Sequence, residues 1–157
     1  MRAYGLGCLI AFATDQLSKI FVVFYGLRLI ETQRLDVVPP LLRFHLGWNE
    51  GINFGLFGGG LASRWILIGV ACAISLAVSI WAFRSFQSRP KLMLMTGLLV
   101  GGALANALDR VVHGAVVDFL NMSCCGINNP FVFNVADIWV FVGAIGLMLW
   151  ADEKKPT

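Results

Sequence analysis

Two aspartates, Asp118 and Asp137, stand at the edges of apolar stretches in a chain that is 58% hydrophobic and only 13% charged. An ionisable group in hydrocarbon is costly, so such residues face a bundle interior or a cavity and mark a functional site. Two carboxylates in a water-limited site cannot both ionise readily; one keeps a proton, and the pair can serve as acid and base. In that role one carboxylate draws a proton from water attacking a peptide carbonyl. The other protonates the oxyanion and later helps the amine leave. A helix N-terminus at Asp137 favours its ionised form and leaves Asp118 as the acid, although the two titrate as a coupled pair.

Other polar residues gather near these two. Asn106, Asp109 and Arg110 fall at i, i+3 and i+4, so a helix continuing to Arg110 projects all three from overlapping faces. Each alone reads equally well as an interfacial helix end satisfied by water. Asn134 can N-cap the last helix with Asp137 at N3, an arrangement that is structural in itself. Asn106 and Asn134 can also hydrogen-bond the aspartate pair or a substrate backbone, and Arg110 can pair with a carboxylate or help hold an extended peptide. In the first apolar segment Asp15 and Lys19 are one helical turn apart and can pair, tying that helix to the site from beneath.

The elements that must position these residues are membrane helices. Mean hydropathy is +0.77, far above that of a soluble domain. Trp65 to Phe83 is a run of 19 uncharged residues between Arg64 and Arg84, with Trp65 and Trp81 suited to an aromatic belt. Leu92 to Leu108 gives 17 more, and Ile138 to Ala151 only 14. That last run must extend back through Asp137 toward Phe131 to cross. The expected architecture is an α-helical membrane protein, one integral domain over 1–157. Its four transmembrane helices lie at roughly 4–27, 62–84, 92–112 and 133–152, with an extracytoplasmic β region at 28–60 and a second extracytoplasmic loop at 113–132.

Four spans put both termini on one side. Arg2, Arg84, Arg89, Lys91, Lys154 and Lys155 fall on that side and make it cytoplasmic by the positive-inside rule, against a spread of Arg28, Arg34, Arg43 and Arg64 opposite. The net charge of +3 reports topology, and no basic cluster with interleaved aromatics suggests nucleic acid. Arg2, the following apolar run and Ala11-Phe12-Ala13 imitate a cleavable signal peptide, but cleavage there would destroy the Asp15–Lys19 pair. Between the first two spans, Leu42, Phe44, Leu46 and Trp48 alternate with Arg43, His45, Gly47 and Asn49, which is strand periodicity. Pro39-Pro40 supplies a turn before that strand and Gly58-Gly59-Gly60 a hinge after it. A sheet with one apolar and one polar face can lie on the membrane surface and offer its edge to an extended peptide. His113-Gly114 ends the third helix, and Val116-Val117 favours an extended segment carrying Asp118 back to the bundle mouth. Of the four cysteines, Cys8 and Cys72 lie within spans. Cys124-Cys125 are adjacent and lack zinc spacing, and they read as free thiols or as pairing externally.

Thr14-Asp15-Gln16-Leu17-Ser18-Lys19, Asn49-Glu50-Gly51-Ile52-Asn53-Phe54, Gly101 to Arg110, Val116-Val117-Asp118-Phe119 and Phe133-Asn134-Val135-Ala136-Asp137 together resemble lipoprotein signal peptidase, signal peptidase II. The resemblance covers all four spans in order. It implies a bacterial plasma-membrane aspartic endopeptidase that removes signal peptides from prolipoproteins, cutting just before a cysteine that carries diacylglyceryl. It aligns Asp118 and Asp137 with the catalytic pair, and Asp15, Lys19, Asn49, Gly51, Asn106, Asp109, Arg110, Asn134 and Ala136 with positions that shape or support the site. No metal or cofactor is implied; the expected partners are prolipoprotein and membrane lipid, with the chain acting as a monomer. Ile52-Asn53 and Ile138 depart from the small residues usual at those positions, which puts pocket shape and inhibitor sensitivity in question rather than the reaction. A transporter is the rival class, but it would spread polar residues through the membrane depth, whereas these cluster at one end. A catalytically dead scaffold would not need the intact pair.

Overall fold

The computed structural model describes residues 1–51, 61–124, 126 and 129–151. Helix α1 (Arg2–Lys19) runs on into a π-helical segment, Ile20–Tyr25. A short α2 (Leu29–Thr32) leads to strands β1 (Arg34–Val38) and β2 (Leu42–Asn49). Helices α3 (Leu61–Ser85) and α4 (Pro90–His113), strand β3 (Val116–Met122) and helix α5 (Val135–Trp150) follow. Among the described residues α1 with its π extension, α3 and α4 are long and apolar enough to cross a membrane.

α4 is the hub, with α1, α3, α5 and β3 all packed on it. Its ends are set locally. Pro90 stands in the first turn, where its missing N–H costs nothing. Gly114, at φ 87°, takes the left-handed conformation just past the last turn and donates its N–H to the Arg110 carbonyl at 3.1 Å. α1 runs parallel to α4: Gly97 lies against Tyr4, and Lys19 reaches Asp109. α5 runs antiparallel, with Gly143 against Met95 and Gly102 against Ala136. α3 also runs antiparallel, its Arg64 donating to the Val111 carbonyl at 2.6 Å. Both the start of α1 and the end of α5 therefore lie at one end of the bundle, and the polar residues singled out above lie at the other. Small residues let the α1 and α4 backbones meet closely, the usual means of helix association where water is absent.

The sheet is antiparallel in the order β1-β2-β3. The expected strand Leu42–Asn49 is present, but its alternation is broken by a bulge between Phe44 and Gly47: Leu46 is buried while Trp48 is 45% exposed. The outer segments at 28–60 and 113–132 are not separate features, because β3 comes from the second and is the third strand of the one sheet. Leu46, Val117 and Phe119 from the sheet pack with Val22, Val23 and Leu29, closing a core between sheet and helices. The last helix is shorter than the expected 133–152. It starts at Val135 because Asn134 takes the cap position, and its 16 residues rise about 24 Å. Cys124 is disulfide-bonded, against the expectation of a free or externally paired thiol. Ile52, Asn53, Gly58-Gly59-Gly60, Cys125, Lys154 and Lys155 lie outside the described residues.

A side chain at Gly97 has no room, since its Cβ would stand 2.2 Å from the Tyr4 carbonyl oxygen, whereas one at Gly5 meets nothing within 4 Å. Gly97→Leu is expected to lower the melting temperature in detergent sharply and Gly5→Leu to leave it nearly unchanged. Equal melting temperatures for the two variants would refute this account of the α1–α4 seam.

Candidate active site

The site begins with a buried cation. Lys19 Nζ lies 2.6 Å from Asp15 Oδ2 and 2.6 Å from Asp109 Oδ2, and all three residues are 2% exposed or less. A buried pair is tolerable only when its remaining lone pairs are satisfied. Here they are: Gln16 Nε2 donates to Asp15 Oδ2 at 3.1 Å and to Asp109 Oδ1 at 3.0 Å. Two backbone donors complete the set. Ala136 N–H reaches Asp15 Oδ1 at 2.9 Å, and Val117 N–H reaches Asp109 Oδ2 at 3.1 Å. Those two residues immediately precede Asp137 and Asp118. The ion triad thus grips the backbone directly before each member of the aspartate pair.

The pair itself is held by three asparagines. Asn134 opens α5 with a capping box: its Oδ1 accepts from Asp137 N–H at 2.9 Å, while its own N–H donates to Asp137 Oδ2 at 3.2 Å. The same side chain donates through Nδ2 to Asp118 Oδ1 at 2.6 Å and to Asn106 Oδ1 at 3.1 Å. Asn106 Nδ2 in turn donates to Asp137 Oδ1 at 2.8 Å. From β2, Asn49 Nδ2 reaches Asp118 Oδ2 at 3.1 Å, and Asn49 Oδ1 accepts from Gly51 N–H at 3.0 Å. Gly51 makes that turn at φ 94°, a conformation that favours glycine. Opposite Asp118 in register stands Gly47, so β2 places no side chain across from the carboxylate.

The electrostatics separate the two carboxyl groups. Asp118 is 1% exposed; burial first, and then the Asp137 carboxylate, push it up to about 6, against the hydrogen bonds from Asn49 and Asn134 that favour its ionised form. Asp137 is half-buried in the first turn of α5. Two carboxyl groups bridged by one asparagine can act as acid and base on a substrate water.

Ten of the eleven residues singled out from the sequence join this network: Asp118, Asp137, Asp15, Lys19, Asn49, Gly51, Asn106, Asp109, Asn134 and Ala136. Arg110 is the exception. It makes no ion pair with either aspartate among the described residues; its Nη1 donates to the Asn106 carbonyl at 3.3 Å and its buried Nε is without a hydrogen-bond partner there. The helix that carries it turns the guanidinium back along its own previous turn. Gln16 was given no role from sequence, and its position, one residue after Asp15 and three before Lys19, is the only local hint of it. The backbone N–H of Val117 carried no signal at all.

Comparison with known proteins agrees with this architecture. Residues 8–151 match the family profile described as signal peptidase (SPase) II. The chain is 39% identical over 161 residues to the lipoprotein signal peptidase of Methylorubrum extorquens (strain PA1), covering 99% of this chain and 90% of that one. It is 35% identical over 161 residues to the lipoprotein signal peptidase of Methylobacterium sp. (strain 4-46), covering 98% and 94%. A bacterial membrane enzyme solved by the in meso method at 1.9 Å shares the fold with a TM-score of 0.78 at 22% identity, over 99% of this chain and 96% of that one.

Two expectations follow from the electrostatics. Lys19→Met strands two buried carboxylates, a change worth about 3–5 kcal/mol, and should lower the melting temperature in detergent by about 10 °C. Combining it with Asp15→Asn and Asp109→Asn removes the uncompensated charge and should restore most of that loss; a Lys19→Met protein as stable as wild type would refute the triad's role. The Asp118 carboxyl titrates near 4 when unfolded and at about 6 when folded, so folding favours its protonated form. That contribution is fully present below about pH 4 and is lost as pH rises through about 6. Asp118→Asn cannot ionise, so it should melt higher than wild type at about pH 7.5, with the gap closing as pH falls through this window.

Proposed function

The chain belongs to the signal peptidase II family, an integral membrane protease, and on that premise we propose that it is an aspartic endopeptidase that cleaves prolipoprotein signal peptides with Asp118 and Asp137 as its catalytic pair. The observation that carries this reading is the sharing of Asn134: one side chain caps α5 at Asp137 and donates to Asp118, so the two carboxyl groups are built as a unit. Asp137 as carboxylate takes a proton from a water held between the pair. The water oxygen attacks the scissile carbonyl, and Asp118 gives its proton to the oxygen that becomes anionic. The tetrahedral intermediate collapses with breakage of the C–N bond: Asp118, now a carboxylate, takes back a proton from one of the intermediate's hydroxyls as the carbonyl re-forms, and the proton gained by Asp137 passes to the departing amine. The products are a carboxylic acid and an amine, and the pair returns to its starting state. Asn106 and Asn49 keep each carboxylate aimed, while the Arg110 guanidinium, which has no ion pair among the described residues, is available to the substrate backbone.

The substrate in this reading is a prolipoprotein whose cysteine carries diacylglyceryl, cut immediately N-terminal to that cysteine, and the enzyme acts as a monomer without metal or cofactor. It lies in the bacterial plasma (inner) membrane. The basic residues Arg2, Arg84, Arg89 and Lys91 mark the end of the bundle where α1 starts and α5 ends; the positive-inside rule supports reading that end as cytoplasmic and the aspartates as near the extracytoplasmic face. The exposed apolar residues Leu35, Val37, Val38 and Leu41 of the β1–β2 hairpin suit contact with lipid or with the substrate's acyl chains.

The deciding assay incubates purified enzyme with a diacylglyceryl-modified prolipoprotein and weighs the products. Wild type should cut before the modified cysteine. Asp118→Asn and Asp137→Asn, folded as judged by melting, should each lose at least about a thousandfold in rate, and undiminished cleavage by either would sink the aspartic mechanism. kcat/KM should fall on the alkaline side with a limb at about 6, the value for Asp118 in the free enzyme.

A further inference from the structure

The last turn of α4 touches β3, which carries Asp118, and β2 beside it. Asp109 and His113 are i and i+4 and so share a face of the helix. Asp109 holds β3 by accepting the Val117 N–H. His113 meets β2 through a ring: its imidazole lies edge-on to Trp48 with centroids 5.9 Å apart, and its other contact is a stack on Phe24 of the π segment at 5.2 Å and 20°. Trp48 is the register partner of Val117, so α4 grips one cross-strand pair from both sides.

This grip matters because the end of β2 has little else to hold it. β1 pairs with β2 from Leu42 to His45 and the Leu46 N–H still reaches the Gln33 carbonyl at 3.0 Å, but beyond Gly47 β3 is the only paired strand among the described residues. The next residue after Trp48 is Asn49, whose amide donates to Asp118 Oδ2. Trp48 is 45% exposed, and the His113 ring is its aromatic neighbour among the described residues. Ring contacts of this kind contribute beyond simple burial, and they need aromatic faces rather than imidazole nitrogens.

We infer that His113 is a positioning residue for the reaction: stacked on Phe24 and edge-on to Trp48, it holds the end of β2 where Asn49 can reach Asp118. The inference rests on the reading of Asp118 as catalytic. It acts through Trp48 and Asn49, without touching substrate.

The test measures kcat and KM across pH for purified His113→Ala, His113→Phe, Trp48→Ala, Asn49→Ala and the Asn49→Ala/His113→Ala double variant, on a diacylglyceryl-modified prolipopeptide. Loss of one hydrogen bond to a charged group corresponds to about tenfold or more, so His113→Ala and Trp48→Ala should each lose about tenfold in kcat with KM within about twofold. His113→Phe keeps a ring face and should stay within about twofold of wild type. The Asn49 hydrogen bond favours ionised Asp118, so its loss should move the alkaline limb to higher pH in His113→Ala just as in Asn49→Ala. The double variant should be no worse than Asn49→Ala alone. Full activity in His113→Ala, failure of His113→Phe to rescue, or losses that multiply in the double variant would each overturn the inference while leaving the aspartate mechanism standing. Activity retained in Asp118→Asn would instead remove its premise. Should His113→Ala not fold, His113→Leu replaces it, keeping bulk without a ring face, and wild-type kcat in that variant overturns the proposal.

Discussion

Everything at the polar end of this bundle depends on one buried ammonium group. Lys19 holds Asp15 and Asp109 together, and those two carboxylates each spend a second oxygen or lone pair on a backbone N–H, at Ala136 and Val117. A helix start and a strand are thereby docked on α1 and α4 at the residue before each aspartate. An isolated charge in such surroundings would be expelled or neutralised, but here every carboxylate oxygen has a donor, which makes the arrangement both tolerable and specific in geometry. Replacing it with an apolar cluster of equal volume could match the packing, yet no apolar side chain can orient two backbone N–H groups.

The second layer of order comes from asparagine. Asn134 serves as a helix cap, and a cap is an ordinary device for satisfying free N–H groups at a helix start. By donating its amide to Asp118 it turns that device into a bridge between α5 and β3. A structural cap and a support for the aspartate pair had looked like competing explanations of Asn134; its hydrogen bonds let one side chain do both. Carboxamides suit the task because they donate and accept at once and stay neutral when the aspartates change charge.

Much of this was legible in the sequence, and the limits of legibility are physical. Helix-compatible spacing made the Asp15–Lys19 pair visible, and hydropathy located the three long helices. The turn at Gly114 and the extended run after it were visible because glycine and β-branched valines have strong local preferences. What local pattern could not show was partnership across the chain. Asp109 lies 90 residues from Lys19, and nothing in either neighbourhood announces that contact. The union of β3 with the β1–β2 hairpin is equally non-local, and it was read as a separate loop for that reason. Arg110 was legible only as a charge: the sequence left open whether it pairs with a carboxylate or holds a peptide, and its contact with the Asn106 carbonyl depends on a side-chain rotamer that spacing does not give.

The parallel pairing of α1 with α4 has a consequence for how the protein comes to be made. The two helices pack directly on each other, but the long helix α3 and the β1–β2 hairpin separate them along the chain. When α1 first enters the bilayer, α4 has not been synthesised, and Lys19 would sit in hydrocarbon as a bare cation. Asp15, one turn away on the same helix, prevents this, because a pair formed within a single segment can be inserted as a neutral unit. Asp109 then arrives with a charge that the pair can accept only once the surrounding amides are in place. The local pair thus gives α1 a self-compensated charge, and Asp109 completes the triad from a segment later in the chain.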